Sequence, residues 1–282
     1  MPKAVMGPGA AAIGTKIYVV GGMDKAQKIL GGTFIYDTTT DKWSKGKPMP
    51  TPRWLPAAAV VNGILYTIGG YTSTTVASAV VEAYDPKHNA WSEKAPLPIP
   101  DAPVVAVEGS TIYAFGGYSG ASGRLPNLYA YSAKANAWKT RVQMPVGLSN
   151  PALGTIGTQI VLADGLSNSG ATSAANVYRP KKNRWKAVSP DLVARTAGCS
   201  GVVAGRLYVA GGELGGGSAA DTGVLDAYDP KGETWTGEAS MPQAVVAPGY
   251  ATAAGRLYCF GGATSGNPSG ATFYRQVQVY QP

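Results

Sequence analysis

The chain has 282 residues, 38 of them Gly and 21 Pro; 45% are hydrophobic, 14% are charged, and the net charge is +8. So much backbone punctuation argues against long helices, and the apolar share is too high for disorder. Two cysteines and one histidine exclude a disulfide scaffold, a Cys-rich zinc site and any chemistry that needs two histidines.

In chain order, one unit is written six times. An apolar run ending in Gly-Gly appears as Tyr18-Val-Val-Gly21-Gly22, Tyr66-Thr-Ile-Gly69-Gly70 and Tyr113-Ala-Phe-Gly116-Gly117. A decayed copy, Val161-Leu-Ala-Asp164-Gly165, precedes Tyr208-Val-Ala-Gly211-Gly212 and Tyr258-Cys-Phe-Gly261-Gly262. Successive copies lie 47 to 50 residues apart. A Tyr precedes a Trp by seven residues in the same phase, at Tyr36/Trp43, Tyr84/Trp91, Tyr131/Trp138, Tyr178/Trp185 and Tyr228/Trp235. Between them lie turn residues such as Asp85-Pro86-Lys87, which suit a hairpin. A third marker, Met-Pro, falls 20 residues before the glycine position at Met1, Met49, Met144 and Met241.

Each unit holds four short strand-like runs; in the second these are Ala57–Val61, Leu65–Ile68, Ala79–Tyr84 and the stretch around Trp91. Runs of four to six residues between turn signals read as strands, and a repeated four-stranded unit predicts a β-propeller. The small first strands suit convergence on a channel, Gly-Gly permits positive φ where the second strand ends, and the phased Trp residues are expected to pack between blades. The sixth unit ends at Val277-Gln-Val-Tyr280-Gln-Pro282 with no Trp following. Its outer strand is therefore expected to be missing, either because that blade has three strands or because the native chain is longer.

The Gly-Gly pairs with Tyr and Trp at fixed intervals resemble the kelch repeat, whose units are about 50 residues long. The resemblance spans essentially the whole chain and implies an all-β, six-bladed kelch-type propeller. Its blades fall at about 6–47, 54–95, 102–142, 149–189, 196–239 and 246–282, in a single domain 1–282. It says little about activity, since the family includes adaptors, actin binders and sugar-converting enzymes.

In an up-and-down blade, the loop into the first strand and the loop leaving the second share one face. On that face the expected ligand-binding residues are Arg53, Trp54, Tyr71, Tyr118 and Arg195. Trp54 is the only Trp out of phase with the repeat and is expected to be an exposed stacking platform, against the alternative that it packs on a neighbouring loop. Arg53 and Arg195 sit at one offset, 16 residues before their glycine, and suit carboxylate recognition, with a structural role equally open. Asp164, standing where the other units have glycine, reads as a carboxylate aimed at the channel mouth or as decay of one repeat. The loop after the last Gly-Gly, residues 263–268, belongs to the same face.

With Asp101, Asp191 and Glu213, Asp164 gives a set of acids of the kind glycoside hydrolysis uses in pairs. Such a ring would also suit a hard cation such as Ca²⁺, but no compact oxygen-ligand string exists, so no cofactor is expected. His88 falls in an outer turn, which removes copper, iron and triad chemistries. Cys199 and Cys259 read as small buried apolar residues, both unpaired. The basic residues are spread over the outer hairpins, for example Lys87, Lys181 and Lys182, so nucleic acid is not an expected partner.

The first expectation is accordingly a monomeric recognition module for a glycan or a protein or peptide partner at the channel mouth. The alternative is a carbohydrate-active enzyme, a glycan hydrolase or sugar mutarotase, using the four acids. No apolar run approaches the roughly 18 residues of a membrane span. Composition favours a bacterial source and leaves cytoplasmic and extracytoplasmic locations open.

Overall fold

Each repeat forms an antiparallel sheet whose strands follow one another in chain order. The computed structural model describes residues 1–119, 123–215, 220–264 and 270–282. Blade two consists of Ala57–Val61, Ile64–Ile68, Val81–Asp85 and Ala90–Lys94, with the last pair in a register that sets Tyr84 opposite Trp91. Blades one to five are four-stranded. Among the described residues blade six has three strands, Gly249–Ala253, Arg256–Phe260 and Val277–Tyr280. The molecule is an all-β, six-bladed propeller. No helix in it is long and apolar enough to cross a membrane, among the described residues.

The six innermost strands line a channel of about 420 Å³. Small side chains such as Ala10, Ala12 and Ala58 fit its narrow bore; Tyr250 is the one aromatic residue in its lining. The core lies between blades rather than within them. Ile68 and Val81 of blade two, for example, bury against Ile112 and Tyr131 of blade three.

The Gly-Gly pair is a latch between blades. Its second N–H donates to a loop carbonyl of the next blade: Gly22 to Arg53, Gly70 to Asp101, Gly117 to Leu148, Gly165 to Arg195, Gly212 to Val245, and Gly262 to Val5, at 2.8–2.9 Å. The last of these closes the ring onto the N-terminal segment. Gly70 shows why the residue is glycine: φ is +92° and an added Cβ would lie 2.7 Å from the Trp54 carbonyl. Such an approach leaves no room for a side chain.

The phased aromatics form a second latch. Within each complete blade the Tyr and Trp rings lie 4.9–5.3 Å apart. The indole N–H then crosses to the preceding blade, from Trp91 to the Lys47 carbonyl, Trp138 to Ala95, Trp185 to Val142 and Trp235 to Ser189.

The cysteines correct an expectation. Cys199, on the innermost strand of blade five, and Cys259, on the second strand of blade six, form a disulfide with their Cα atoms 6.0 Å apart. Sixty residues separate them in sequence, and only the docking of one blade on the next brings them together.

Candidate functional site

Arg53 and Arg195 hold the loops of the mouth in place rather than presenting cations to solvent. Arg53 is 0% exposed and its guanidinium is fully engaged. It donates to Glu82 at 2.7 Å, to the Thr67 hydroxyl at 2.7 Å, and to the carbonyls of Gly69 and Val80 at 2.9 and 2.7 Å. Glu82 returns to the same loop, accepting from the Thr51 N–H and hydroxyl. An expected ligand-recognition residue is therefore an internal strut, because its charge is neutralised within its own blade.

Arg195, 1% exposed, repeats this arrangement with three carboxylates. It donates to Asp191 at 2.9 Å, to Asp164 at 3.2 Å and to Asp226, and also to the Val224 carbonyl. Asp226 holds the third-strand position that Glu82 holds in blade two. Asp164 keeps the left-handed backbone of the glycine it replaces, φ +61°, a conformation Asp tolerates better than most residues. Its carboxylate turns inward onto Arg195 instead of toward the mouth. Burial, reinforced by the charge of Asp191 and opposed by Arg195, raises the Asp164 carboxyl well above the ordinary range. Burial raises Asp226 as well, against the pull of Arg195. Asp164 and Asp226 are thereby drawn toward their protonated forms, which lessens the repulsion between acids gathered on one guanidinium.

Asp101 lies apart from that cluster. The loop into blade three is one residue shorter than the loop into blade two, where Trp54 pairs its backbone with Tyr71. The Asp101 carboxylate takes over that function: it accepts from the N–H of Ala102 at 2.7 Å and from the N–H of Tyr118. It sits against Gly117, where an added Cβ would fall 1.9 Å from Oδ1. Burial pushes the carboxyl up to about 7, the two N–H donors pulling the other way.

The folded-state pKa exceeds the unfolded value of roughly 3.9, so the associated stability is complete below pH 4 and is lost as pH rises through about 7. Asp101→Asn is expected to remove that decline. Thermal melts of both proteins between pH 4 and 9 test this, and parallel pH profiles would contradict it.

Trp54 is half-buried rather than an open platform. Its ring lies 5.6 Å from that of Tyr71, and its indole N–H is buried without an acceptor. Tyr71 is itself buried and donates to the Tyr118 carbonyl at 3.0 Å. Tyr118 is 40% exposed, and the guanidinium of Arg124 lies 5.5 Å from its ring centroid. Arg124 also donates to Ser149 and, through its backbone, to Asn168 of blade four.

A strip of Trp54, Tyr71, Tyr118 and Arg124 therefore runs along the mouth from blade two to blade four. Arg124 went unrecognised in the sequence, although it is a cation in a loop after Gly-Gly rather than on the outer hairpins. Glu213 is half-buried in a two-residue strand paired with Arg195–Thr196. Residues 265–268 of the loop after the last Gly-Gly lie outside the described residues.

The mouth itself is a depression of about 100 Å³ rimmed by Pro8, Pro56, Pro103, Pro151 and Pro248. Sites that enclose a small molecule usually measure about 300–1,000 Å³. The four acids expected to encircle it do not come together there: Asp164 and Asp191 meet on Arg195, and Asp101 is held by backbone. Among the described residues no group of three or more His, Cys, Asp or Glu side chains is placed to hold a metal ion.

Comparison with known proteins follows the same lines. No curated protein matches the sequence. Among solved structures, that of YjhT is similar at 17% identity with a TM-score of 0.86, over 100% of this chain and 96% of the other. At that identity the likeness concerns the fold. The kelch motif matches residues 5–50, 53–98 and 194–242, which together make half of the chain. The chain belongs to the kelch-repeat family.

Proposed function

We propose that this propeller is a recognition module that binds an extended glycan or peptide across the mouth, on the strip formed by Trp54, Tyr71, Tyr118 and Arg124. A kelch propeller is a scaffold for ligand or protein binding; the location and chemistry of the ligand are our reading. One observation carries it: Asp101, Asp164 and Asp191, three of the four carboxylates that hydrolysis would draw on, are buried and engaged, whereas Tyr118 is exposed beside a guanidinium. Aromatic and Arg side chains are the usual anchors of a binding surface. The shallow mouth favours a ligand that lies across it over one that is enclosed. The disulfide supports work in an oxidising compartment.

The enzymatic alternative rests on Asp101, whose carboxyl near neutrality is what a general acid requires. Glycan and peptide arrays probed with the intact protein distinguish the two. Retention of one ligand class without release of reducing ends or exchange of anomers is expected. Turnover that disappears in Asp101→Asn would replace recognition with catalysis.

A further inference from the structure

The hairpin between the third and fourth strands of blade four differs in charge from its counterparts. In an up-and-down blade that hairpin lies at the end opposite the mouth. The residue after the phased Tyr is Asp37, Asp85, Ser132 and Asp229 in blades one, two, three and five. Each of these side chains accepts the N–H of a residue two or three places on, and so closes its own turn. Blade four has Arg179 there, with no such bond. Pro and Lys follow Arg179, as they follow Asp85 and Asp229. Arg179 also stands directly opposite Arg184. The equivalent pairs are Asp37 with Lys42, Asp85 with Ala90, Ser132 with Ala137 and Asp229 with Thr234. Like charges facing one another across antiparallel strands are destabilising. Blade four thus gives up a turn cap and accepts repulsion at one place.

The surroundings leave this charge unbalanced. Lys181 and Lys182 are exposed at the tip of the hairpin, and Arg184 is exposed on the strand that follows. Among the described residues none of Arg179, Lys181, Lys182 and Arg184 makes an ion pair. Arg141 of blade three adds a fifth cation, donating to the Pro180 carbonyl at 2.8 Å and to the Tyr178 hydroxyl at 3.1 Å. No acid occurs in the sequence between Asp164 and Asp191, and both of those are buried on Arg195. The corresponding hairpins of blades one, two and five carry carboxylates: Asp37 and Asp41, Asp85, and Asp229 with Glu233.

We propose that this corner binds an anionic polysaccharide, its sulfate or carboxylate groups seated on Arg179 and Arg184 with Lys181 and Lys182 beside them. Guanidinium groups take such anions through paired hydrogen bonds. A flexible chain can follow blade four alone, whereas a planar anionic membrane would also press on the carboxylates of blades one, two and five. Nucleic acid fits less well on two counts. The Cys199–Cys259 bridge favours an oxidising compartment. Trp185, next to Arg184, packs on Tyr178 with ring centroids 5.0 Å apart rather than offering a face to bases. The site is separate from the mouth and independent of the reading given for it.

Surface plasmon resonance on immobilised dextran sulfate and polygalacturonate, with plain dextran as the blank, reads the site at about 0.15 M salt. Saturable binding to at least one of the two polymers is expected. Arg179→Asp with Arg184→Thr, which installs the pair that blade five has, should weaken it about ten-fold or more. Lys25→Asp with Lys45→Thr, at exposed positions of blade one, removes the same charge and should weaken it less than about three-fold. The melting temperature of the Arg179→Asp, Arg184→Thr protein should not fall below the wild type's, since Asp restores the turn cap seen at Asp229. Absence of binding to both polymers, equal weakening in the two variants, or a fall in that melting temperature would each overturn the proposal. So would tighter binding to duplex DNA or to vesicles of anionic phospholipid.

Discussion

Arg195→Ala is expected to destabilise the propeller by about 3–5 kcal/mol at neutral pH, the cost of leaving buried carboxylates without their cation. The guanidinium contacts Asp164, Asp191 and Asp226, all nearly inaccessible to water. Against a net stability of roughly 5–15 kcal/mol such a loss is severe. It should depend on pH. Asp164 and Asp226 already titrate above their unfolded values, and removing the cation raises them further. Stability linked to them is complete below the unfolded carboxyl pKa and is lost as pH rises through the folded one. The variant should therefore approach the wild type near pH 4 and diverge from it toward pH 8. Urea midpoints across that range measure the gap; a gap below about 1 kcal/mol at pH 8 would show that the cluster does not depend on Arg195.

Loss of the Cys199–Cys259 bridge is expected to cost about 4 kcal/mol, the chain-entropy figure for a loop of this length. Its position decides where the loss appears first. Among the described residues blade six has three strands, and the bridge ties its second strand to the innermost strand of blade five. Without it, blade six should open before the other blades. The cleaner test is Cys199→Ser with Cys259→Ser, since both sulfurs are buried and a reductant reaches them only on opening. Hydrogen exchange should accelerate over residues 249–260 and 277–280 ahead of the rest. Unchanged melting and uniform exchange would contradict a structural role for the bridge.

The repeat was legible because its markers are local and recur in phase. Tyr, Trp and Gly-Gly each perform the same latch in successive blades, so periodicity alone located them. The bridge was not legible, because 60 residues and a blade boundary separate its cysteines. The two arginines misled for a physical reason: a common offset signals a common role, and both recognition and bracing satisfy it. The discriminating signal was a charged residue within an apolar third strand, two positions before the Tyr, at Glu82 and Asp226. Asp101 was found as an acid, but the short loop that turns its carboxylate inward shows only when the blades are superposed. Trp54 was rightly singled out as extra to the repeat, yet its backbone pairing with Tyr71 seats the ring rather than displaying it.

The claim that the mouth strip is a recognition surface is tested most directly by affinity. With the ligand class retained on the arrays, Tyr118→Ala and Arg124→Ala are each expected to raise Kd about ten-fold or more while melting stays close to wild type. Wild-type affinity in both variants would contradict the account.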